Sequence, residues 1–344
     1  MSPSLTAAVD LGGTKLAGAL LDAEGTVLTQ LQRPTPAQAP ADQVLDAVAQ
    51  VLEQLATDPR WAQVSCLGIA SAGPVDVARG TVSPVNIPAW RDFPLVQRLT
   101  AHTTLTAAAG PAVGLATVLV GDGVAMAAGE HWRGAARGFT DALCLVVSTG
   151  VGAGLVLDGA VRSGPTGNAG HLGHISVDLD GEPCPCGSRG CLEGLASGTA
   201  IARRALRNGW HPPGQDTSAA AVAACARAGD PIALASFDRA AQALAAGIAA
   251  TATLVEIGVA VIGGGVAQAG DVLFTPLRHH LDTYAALPFA RGFHVRPALL
   301  GAEAGLVGAA AQAQAAQVAQ ALPSRRATQA PTVLSAQVPA REPC

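Results

Sequence analysis

Thr6-Ala-Ala-Val-Asp10-Leu-Gly-Gly-Thr-Lys15-Leu-Ala-Gly-Ala-Leu20-Leu-Asp22 and Cys144-Leu-Val-Val-Ser148-Thr-Gly-Val-Gly-Ala-Gly154-Leu-Val-Leu-Asp158-Gly159 are two versions of one pattern. In each, an apolar run meets a Gly/Thr turn and a second apolar run follows, which reads as strand, turn, strand. One such hairpin in each half of the chain predicts a duplicated domain. Both turns are the size of a phosphate group. Glycine lets backbone N–H groups approach an anion closely, and threonine hydroxyls add donors. A third cluster, Val259-Ala-Val-Ile262-Gly-Gly-Gly265-Val-Ala, places an apolar strand before what reads as a helix start, where free N–H groups and the helix dipole favour an anion.

A glycine turn taken singly mostly just joins strands. The common alternatives do not fit here. The pattern G-x-x-x-x-G-K-[ST] is absent, which argues against a P-loop, and Gly150-Val-Gly152-Ala-Gly154 runs into the strand-like Leu-Val-Leu where a dinucleotide fingerprint needs a helix. Three clusters in this order favour a nucleotide held between two related lobes.

His174, Cys184, Cys186 and Cys191 stand at the spacing H-x9-C-x-C-x4-C, beside His171 and Glu193. A Cys3His set suits tetrahedral Zn2+ and leaves no open position for water, so such a metal shapes a site without performing chemistry. The competing readings are free thiols in a Gly/Pro loop, or a disulfide between two of the three. Packing three thiols into eight residues next to a histidine favours zinc.

At 344 residues the chain can bury two domains. Hydrophobic residues make up 49% and charged residues 13%, with a net charge of -4. No basic stripe of the nucleic-acid-binding kind is present. The longest apolar run, from Ala240 to Val255, contains Gln242 and stops at Glu256, so it predicts a buried helix and not a membrane span. Met1 to Leu5 lacks the features of a signal peptide. The expectation is a cytoplasmic protein with its seven cysteines reduced or metal-bound. Lys15 is the sole lysine of the chain, and it lies in a glycine turn.

Together with Gly68-Ile-Ala-Ser-Ala-Gly73-Pro-Val-Asp76, Asn86-Ile-Pro88-Ala-Trp90, Gly121-Asp122, Gly129-Glu-His-Trp-Arg-Gly134 and Gly170-His-Leu-Gly-His174, these clusters resemble the ROK family of bacterial sugar kinases over about residues 5 to 320. The run Cys184-Pro-Cys186-Gly-Ser-Arg-Gly190-Cys191-Leu-Glu193 is the most specific part of the match. The resemblance implies a two-lobed α/β actin/hexokinase-like (ribonuclease H-like) ATPase fold with a duplicated core and an inserted zinc loop. It also implies an ATP- and Mg2+-dependent kinase acting on a hexose or amino-hexose, assembled as a homodimer or homotetramer. Asp10, Gly12, Gly13, Thr14 and Lys15 would form the first phosphate loop, with Asp10 near the Mg2+. Thr149, Gly150 and Gly152 would form the second, and Gly263 and Gly264 would lie against the adenosine. Asp122 would be the general base, with Gly73, Asn86, Gly121, His171, His174 and Glu193 lining the sugar site, and His174 would serve the zinc as well. Outside such a pattern, Asp122 in Gly-Asp-Gly reads as a loop aspartate and Glu193 as a solvated acid.

Three positions depart from the family pattern. Gly121 replaces an asparagine, His171 replaces the first residue of E-x-G-H, and Ala72 replaces a proline. A carboxylate only accepts hydrogen bonds, whereas a neutral imidazole accepts once and donates once. Buried polar groups that lose partners cost about 1–3 kcal/mol each, so plain glucose is expected to fit this pocket less well than a typical family glucokinase. A preference for an amino or acylamino sugar follows. The expected layout is a smaller lobe over 1–120, joined by a helix at about 303–320, a larger lobe over 121–300, and a disordered tail over 322–344. A repressor is not expected, since the first strand starts by about Leu5 without a preceding helix-turn-helix. A catalytically silent sugar sensor and a nucleotide-dependent oxidoreductase are the other classes to separate.

Overall fold

A computed structural model of the protein describes residues 4–102 and 115–321. Strand β1 (Leu5–Leu11) is apolar on both faces and buried almost throughout, as a central strand covered from both sides must be. The Gly-Gly-Thr turn reverses the chain into β2 (Lys15–Leu21), with Asp10 opposite Ala17 and Leu11 opposite Leu16. After β3 (Val27–Pro34), helix α1 (Ala41–Ala56) lays Val44, Leu45, Val48, Val51, Leu52 and Leu55 on the sheet, one apolar stripe at helical spacing. Strand β4 (Val64–Ser71) then runs parallel to β1. A short ribbon of β5 (Val75–Asp76) and β6 (Thr81–Val82) and helix α2 (Leu95–Thr100) follow, and β7 (Ala116–Gly121) closes the sheet beside β4. The strand order is β3-β2-β1-β4-β7.

Helix α3 (Asp122–Arg133) leads into the second sheet, which opens with β8 (Ala142–Val147), β9 (Val151–Leu157) and β10 (Ala160–Arg162). Helices α4 (Leu192–Ala196), α5 (Gly198–Arg207), α6 (Ala219–Arg227) and α7 (Pro231–Val255) precede β11 (Val259–Gly263). Helix α8 (Asp271–Tyr284), β12 (His294–Pro297) and α9 (Ala304–Ala321) complete the described chain. The second sheet has the order β10-β9-β8-β11-β12. Strand directions also match: three antiparallel strands and then two parallel to the first, in both sheets. The two glycine-turn hairpins therefore start two copies of one α/β unit. Among the described residues no helix is long and apolar enough to cross a membrane, and the Ala-rich α7 is packed in the second core.

The helix that ends each unit packs onto the other one. Helix α3 lies against β8 and β9, whereas α9 returns to β1, β4 and β7, and the two helices pack on each other. Small residues make the crossing possible. A Cβ on Gly123 would collide with the Ala153 carbonyl, and one on Gly308 with the Ala125 carbonyl.

One sequence expectation changes. The third glycine cluster does not lead straight into an α-helix: a 3-10 turn spans Gly265–Ala269 and α8 begins at Asp271. The 322–344 tail, with Cys344, lies outside the described residues.

Glu130 in α3 is fully buried, and its carboxylate accepts the N–H groups of Ala135 (2.7 Å), Leu300 (2.9 Å) and Leu299 (3.2 Å). It ties the end of α3 to the segment that enters α9. Glu130→Ala would strand three backbone donors at about 1–3 kcal/mol each, so a loss of at least about 3 kcal/mol is expected from chemical denaturation, with Glu130→Gln milder because one acceptor remains. A loss below about 1 kcal/mol in the alanine variant would mean that water replaces the carboxylate.

Candidate functional site

The first turn is shaped by its own backbone and by Thr35. Gly12 N–H bonds to the Lys15 carbonyl at 3.0 Å, the Thr35 hydroxyl bonds to the Gly12 carbonyl at 2.7 Å, and Thr35 N–H bonds to Thr14 at 3.1 Å. Asn86 packs directly on Gly13, where any side chain would strike it. Asp10, at the end of β1, sits over Gly305 in the first turn of α9. Its pKa is pushed up to about 6, by burial first and then by the charge of Asp122, with Lys15 opposing.

Asp122 is the first residue of α3, not a loop residue, and its Oδ1 accepts the Gly123 N–H at 2.7 Å. A Cβ placed on Gly152 would lie 3.7 Å from that same oxygen, so the carboxylate faces the second glycine turn. The residue is open to solvent along the cleft, yet protein closes around the carboxylate on its other sides. That desolvation holds it above the usual carboxylate range, against the Gly123 N–H and His171 and with Glu193 adding repulsion.

In the second turn, Ser148 N–H meets the Gly150 carbonyl at 2.8 Å, and α5 grips the turn through Gly198 N–H to Ser148 (2.7 Å) and Thr199 Oγ1 to Thr149 (3.1 Å). Glu193, in the first turn of α4, is half-buried and not a freely solvated acid. Its Oε2 accepts the Val151 N–H at 2.8 Å. Gly263 and Gly264 end β11 beside the end of β8, Gly264 with φ 87° and its backbone against the Val147 carbonyl, an approach and a conformation that suit glycine.

His171 stands where Gly73 and Asn168 meet. Its Nδ1 lies 2.8 Å from the Asn168 carbonyl, an acceptor, so Nδ1 carries the proton and a neutral ring keeps Nε2 as an acceptor. Nε2 lies 3.3 Å from where a Cβ on Gly73 would stand. With Nδ1 engaged by Asn168, Nε2 is the ring atom left to a ligand. Asn168 was not singled out from the sequence. Its side chain takes the Val75 N–H at 2.9 Å and gives to the Val75 carbonyl at 2.6 Å, joining the loop after β10 to β5, 93 residues away. A Cβ on Gly121 would stand 3.4 Å from the Gly167 carbonyl and 4.0 Å from Val75 Cγ2, ordinary contact distances, so the position accepts a side chain's first atom without a clash.

The ligand atoms of His174, Cys184, Cys186 and Cys191 all fall within 4.8 Å of one another. Cys186 and Cys191 Sγ are 3.7 Å apart, too far for a disulfide, and Cys184 Sγ is 3.9 Å from His174 Nδ1. The loop is held on α5 and α7 by Glu182 with Arg207 (2.6 Å) and Arg203 (3.4 Å), and by Asp178 with Arg239 (2.7 Å). A cavity of about 420 Å³ lies between these arginines, Thr149, Thr199 and Glu193; Asp122 and His171 are outside its wall. Asp10 and Lys15 of the first turn thus lie within electrostatic reach of Asp122, Asp122 lies within reach of His171 and Glu193, and the carboxylates of Asp122 and Glu193 both stand against the second turn.

A model of the ROK family matches residues 6–316. The chain is 33% identical over 315 residues to a glucokinase of Thermotoga maritima, covering 88% of this chain and 95% of that protein. It is 35% identical over 316 residues to an N-acetylmannosamine kinase of Escherichia coli O1:K1, covering 90% and 98%. A solved ROK family glucokinase from Streptomyces griseus, in complex with glucose and AMPPNP, matches with a TM-score of 0.77 at 33% identity over 91% of this chain and 100% of that one.

The raised pKa of Asp10 has a stability consequence. The folded state holds that proton more tightly than the unfolded chain, so Asp10 costs stability as pH rises from about 4 to about 6. Without nucleotide or divalent cation, Asp10→Asn is expected to match the wild type in thermal unfolding below pH ~4 and to exceed it above pH ~6 by about 1–3 kcal/mol. A variant no more stable than the wild type at pH 7 would show that Asp10 is not desolvated.

Proposed function

The chain belongs to the ROK family, and from that premise we propose that it is an ATP-dependent kinase moving the γ-phosphoryl group of ATP to the 6-hydroxyl of a hexose or amino-hexose. One observation carries the reading: the Asp122 carboxylate faces Gly152 of the second glycine turn while lying in the electric field shared with Asp10 of the first. A base at that place can take the proton of a hydroxyl as the oxygen attacks the γ-phosphorus and the bridging oxygen leaves with ADP. Its upward-shifted pKa makes it a better proton acceptor than an ordinary aspartate. Asp10, Gly12, Gly13, Thr14 and Lys15 would cradle one side of the triphosphate and Thr149, Gly150 and Gly152 the other, with Gly263 and Gly264 against the adenosine. Mg2+ brought with ATP would supply charge neutralisation, with Asp10 near it.

The sugar would lie among Gly73, Asn86, Gly121, Asp122, His171, His174 and Glu193. The middle of this site is rich in acceptors: His171 Nε2 stands where the family has a carboxylate, and the Gly167 carbonyl borders the space at Gly121. A neutral His171 would reproduce the acceptor function of a glutamate without its charge, which would reduce the expected penalty for glucose. The lost asparagine takes a donor with it. A substrate presenting a donor there satisfies the remaining acceptors, and a sugar hydroxyl does this as an amine or amide N–H does; glucose, N-acetylmannosamine, N-acetylglucosamine and kanosamine are the compounds to compare.

For the cysteine loop we propose structural zinc. A tetrahedron with Zn–S of about 2.3 Å and Zn–N of about 2.0 Å has S···S edges of about 3.8 Å and S···N edges of about 3.5 Å; the 3.7 Å between Cys186 and Cys191 Sγ matches the first, and the 3.9 Å from Cys184 Sγ to His174 Nδ1 would close by a few tenths of an ångström on binding. His174 would bind through Nδ1 and turn its other edge away from the metal. The division into lobes over 1–120 and 121–300, a dimer or tetramer, and a cytoplasmic location complete the proposal.

Coupled ADP release over that panel tests the reading. Sugar-dependent release is expected, and Asp122→Asn should keep nucleotide binding while lowering kcat by about 10²–10⁴-fold. Release that no hexose stimulates would favour a sugar sensor. Metal analysis should find one zinc per chain, lost with thermal stability in Cys186→Ser; stoichiometric zinc in the Cys184/Cys186/Cys191 triple variant would remove the loop as its site.

A further inference from the structure

Glu193 serves the second glycine turn as well as the cleft. Its Oε2 accepts the Val151 N–H at 2.8 Å, and a Cβ on Gly150 would stand 2.5 Å from the same atom, so the carboxylate rests on the turn itself. The backbone that carries it is fixed, so that movement of the carboxylate is a matter of side-chain rotation. Leu192 N–H is bonded to the Ile175 carbonyl at 3.0 Å, Cys191 Sγ lies 3.5 Å from the His174 carbonyl oxygen, and α4 starts there. From the other side, Gly198 and Thr199 fix the carbonyls of Ser148 and Thr149.

This placement has an electrostatic consequence. A turn offered to the phosphates of a nucleotide carries a carboxylate that occupies one of its N–H donors and repels a phosphate. A hydroxyl of a bound sugar can donate to that carboxylate, spread its charge and draw it off the turn. We propose that Glu193 is an electrostatic gate that makes nucleotide binding tighter once the sugar is bound, and thereby limits ATP turnover on an empty sugar site. The proposal rests on the sugar-kinase reading above. Coupling is reciprocal, so the nucleotide must tighten the sugar by the same factor.

Glu193→Gln separates the gate from a plain sugar contact. The amide oxygen can still accept the Val151 N–H, but the charge is gone. Calorimetry with Mg2+–AMPPNP, with and without the hexose that best stimulates ADP release, gives the coupling. In the wild type the sugar is expected to tighten AMPPNP by at least about 5-fold. In Glu193→Gln the sugar-free affinity is expected to rise about 5-fold or more, toward the sugar-bound wild-type value, and the coupling to fall to about 1. Gly150→Ala, which crowds the carboxylate off the turn while keeping its charge, should also lower the coupling. A Glu193→Gln protein that unfolds at the wild-type temperature but binds sugar-free AMPPNP no more tightly, or keeps the wild-type coupling, overturns the gate. Absence of sugar-stimulated ADP release from the wild type counts instead against the kinase reading.

Discussion

Two desolvated carboxylates, Asp10 and Asp122, stand together at the carboxyl end of the first sheet, where the charge of Asp122 adds to the cost of burying Asp10. The rest of the molecule keeps them in place. Each caps the working end of a different element: Asp10 ends β1 against the first turn of α9, and Asp122 begins α3 against β9. Both stand at the carboxyl end of the first sheet, Asp10 on β1 and Asp122 directly after β7 with β4 between them, so strand pairing fixes their separation while α3 and α9 cross beside them. Glycines 123 and 308 allow that crossing, and buried Glu130 locks its far end with three backbone hydrogen bonds. Burial of the two acids first, and the charge of Asp122 on Asp10 second, lower stability in the empty protein, and a cation or a proton relieves that cost. Such stored cost at a site offset by good packing elsewhere is the usual signature of function.

The cysteine loop extends the same logic to the opposite wall. Its ion pairs with Arg203, Arg207 and Arg239 are exposed and individually weak. The four clustered ligand atoms are a stronger constraint, because a bound metal would convert them into a rigid cap on α4. Glu193 begins one turn from that cap and touches the second glycine turn, so rigidity in the loop becomes position at the cleft.

Much of this was legible in the chain itself. Apolar runs broken by Gly-Gly-Thr and Thr-Gly-Val-Gly are strong local signals, and both hairpins stand where those runs place them. The cysteine spacing likewise marked its own cluster. Other features depend on distant contacts. Asp122 reads as a loop residue because Gly-Asp-Gly is poor helix sequence and α3 is buried nearly all round, leaving no polar face to mark it. The 3-10 turn after β11 hides behind three glycines, any of which could have opened a helix. The tautomer of His171 is set by the Asn168 carbonyl, and Asn168 is held by Val75 from the other sheet's ribbon; no local pattern records that bond.

The most direct measurement is a crystal structure with AMPPNP, Mn2+ and the hexose that best stimulates ADP release. Expected are an anomalous Mn2+ peak beside Asp10, the triphosphate between the turns at 12–15 and 149–152, and the sugar 6-hydroxyl within hydrogen-bond distance, about 3 Å, of the Asp122 carboxylate. A 6-hydroxyl turned away from Asp122, or a triphosphate bound outside those two turns, would contradict the assignment of the cleft.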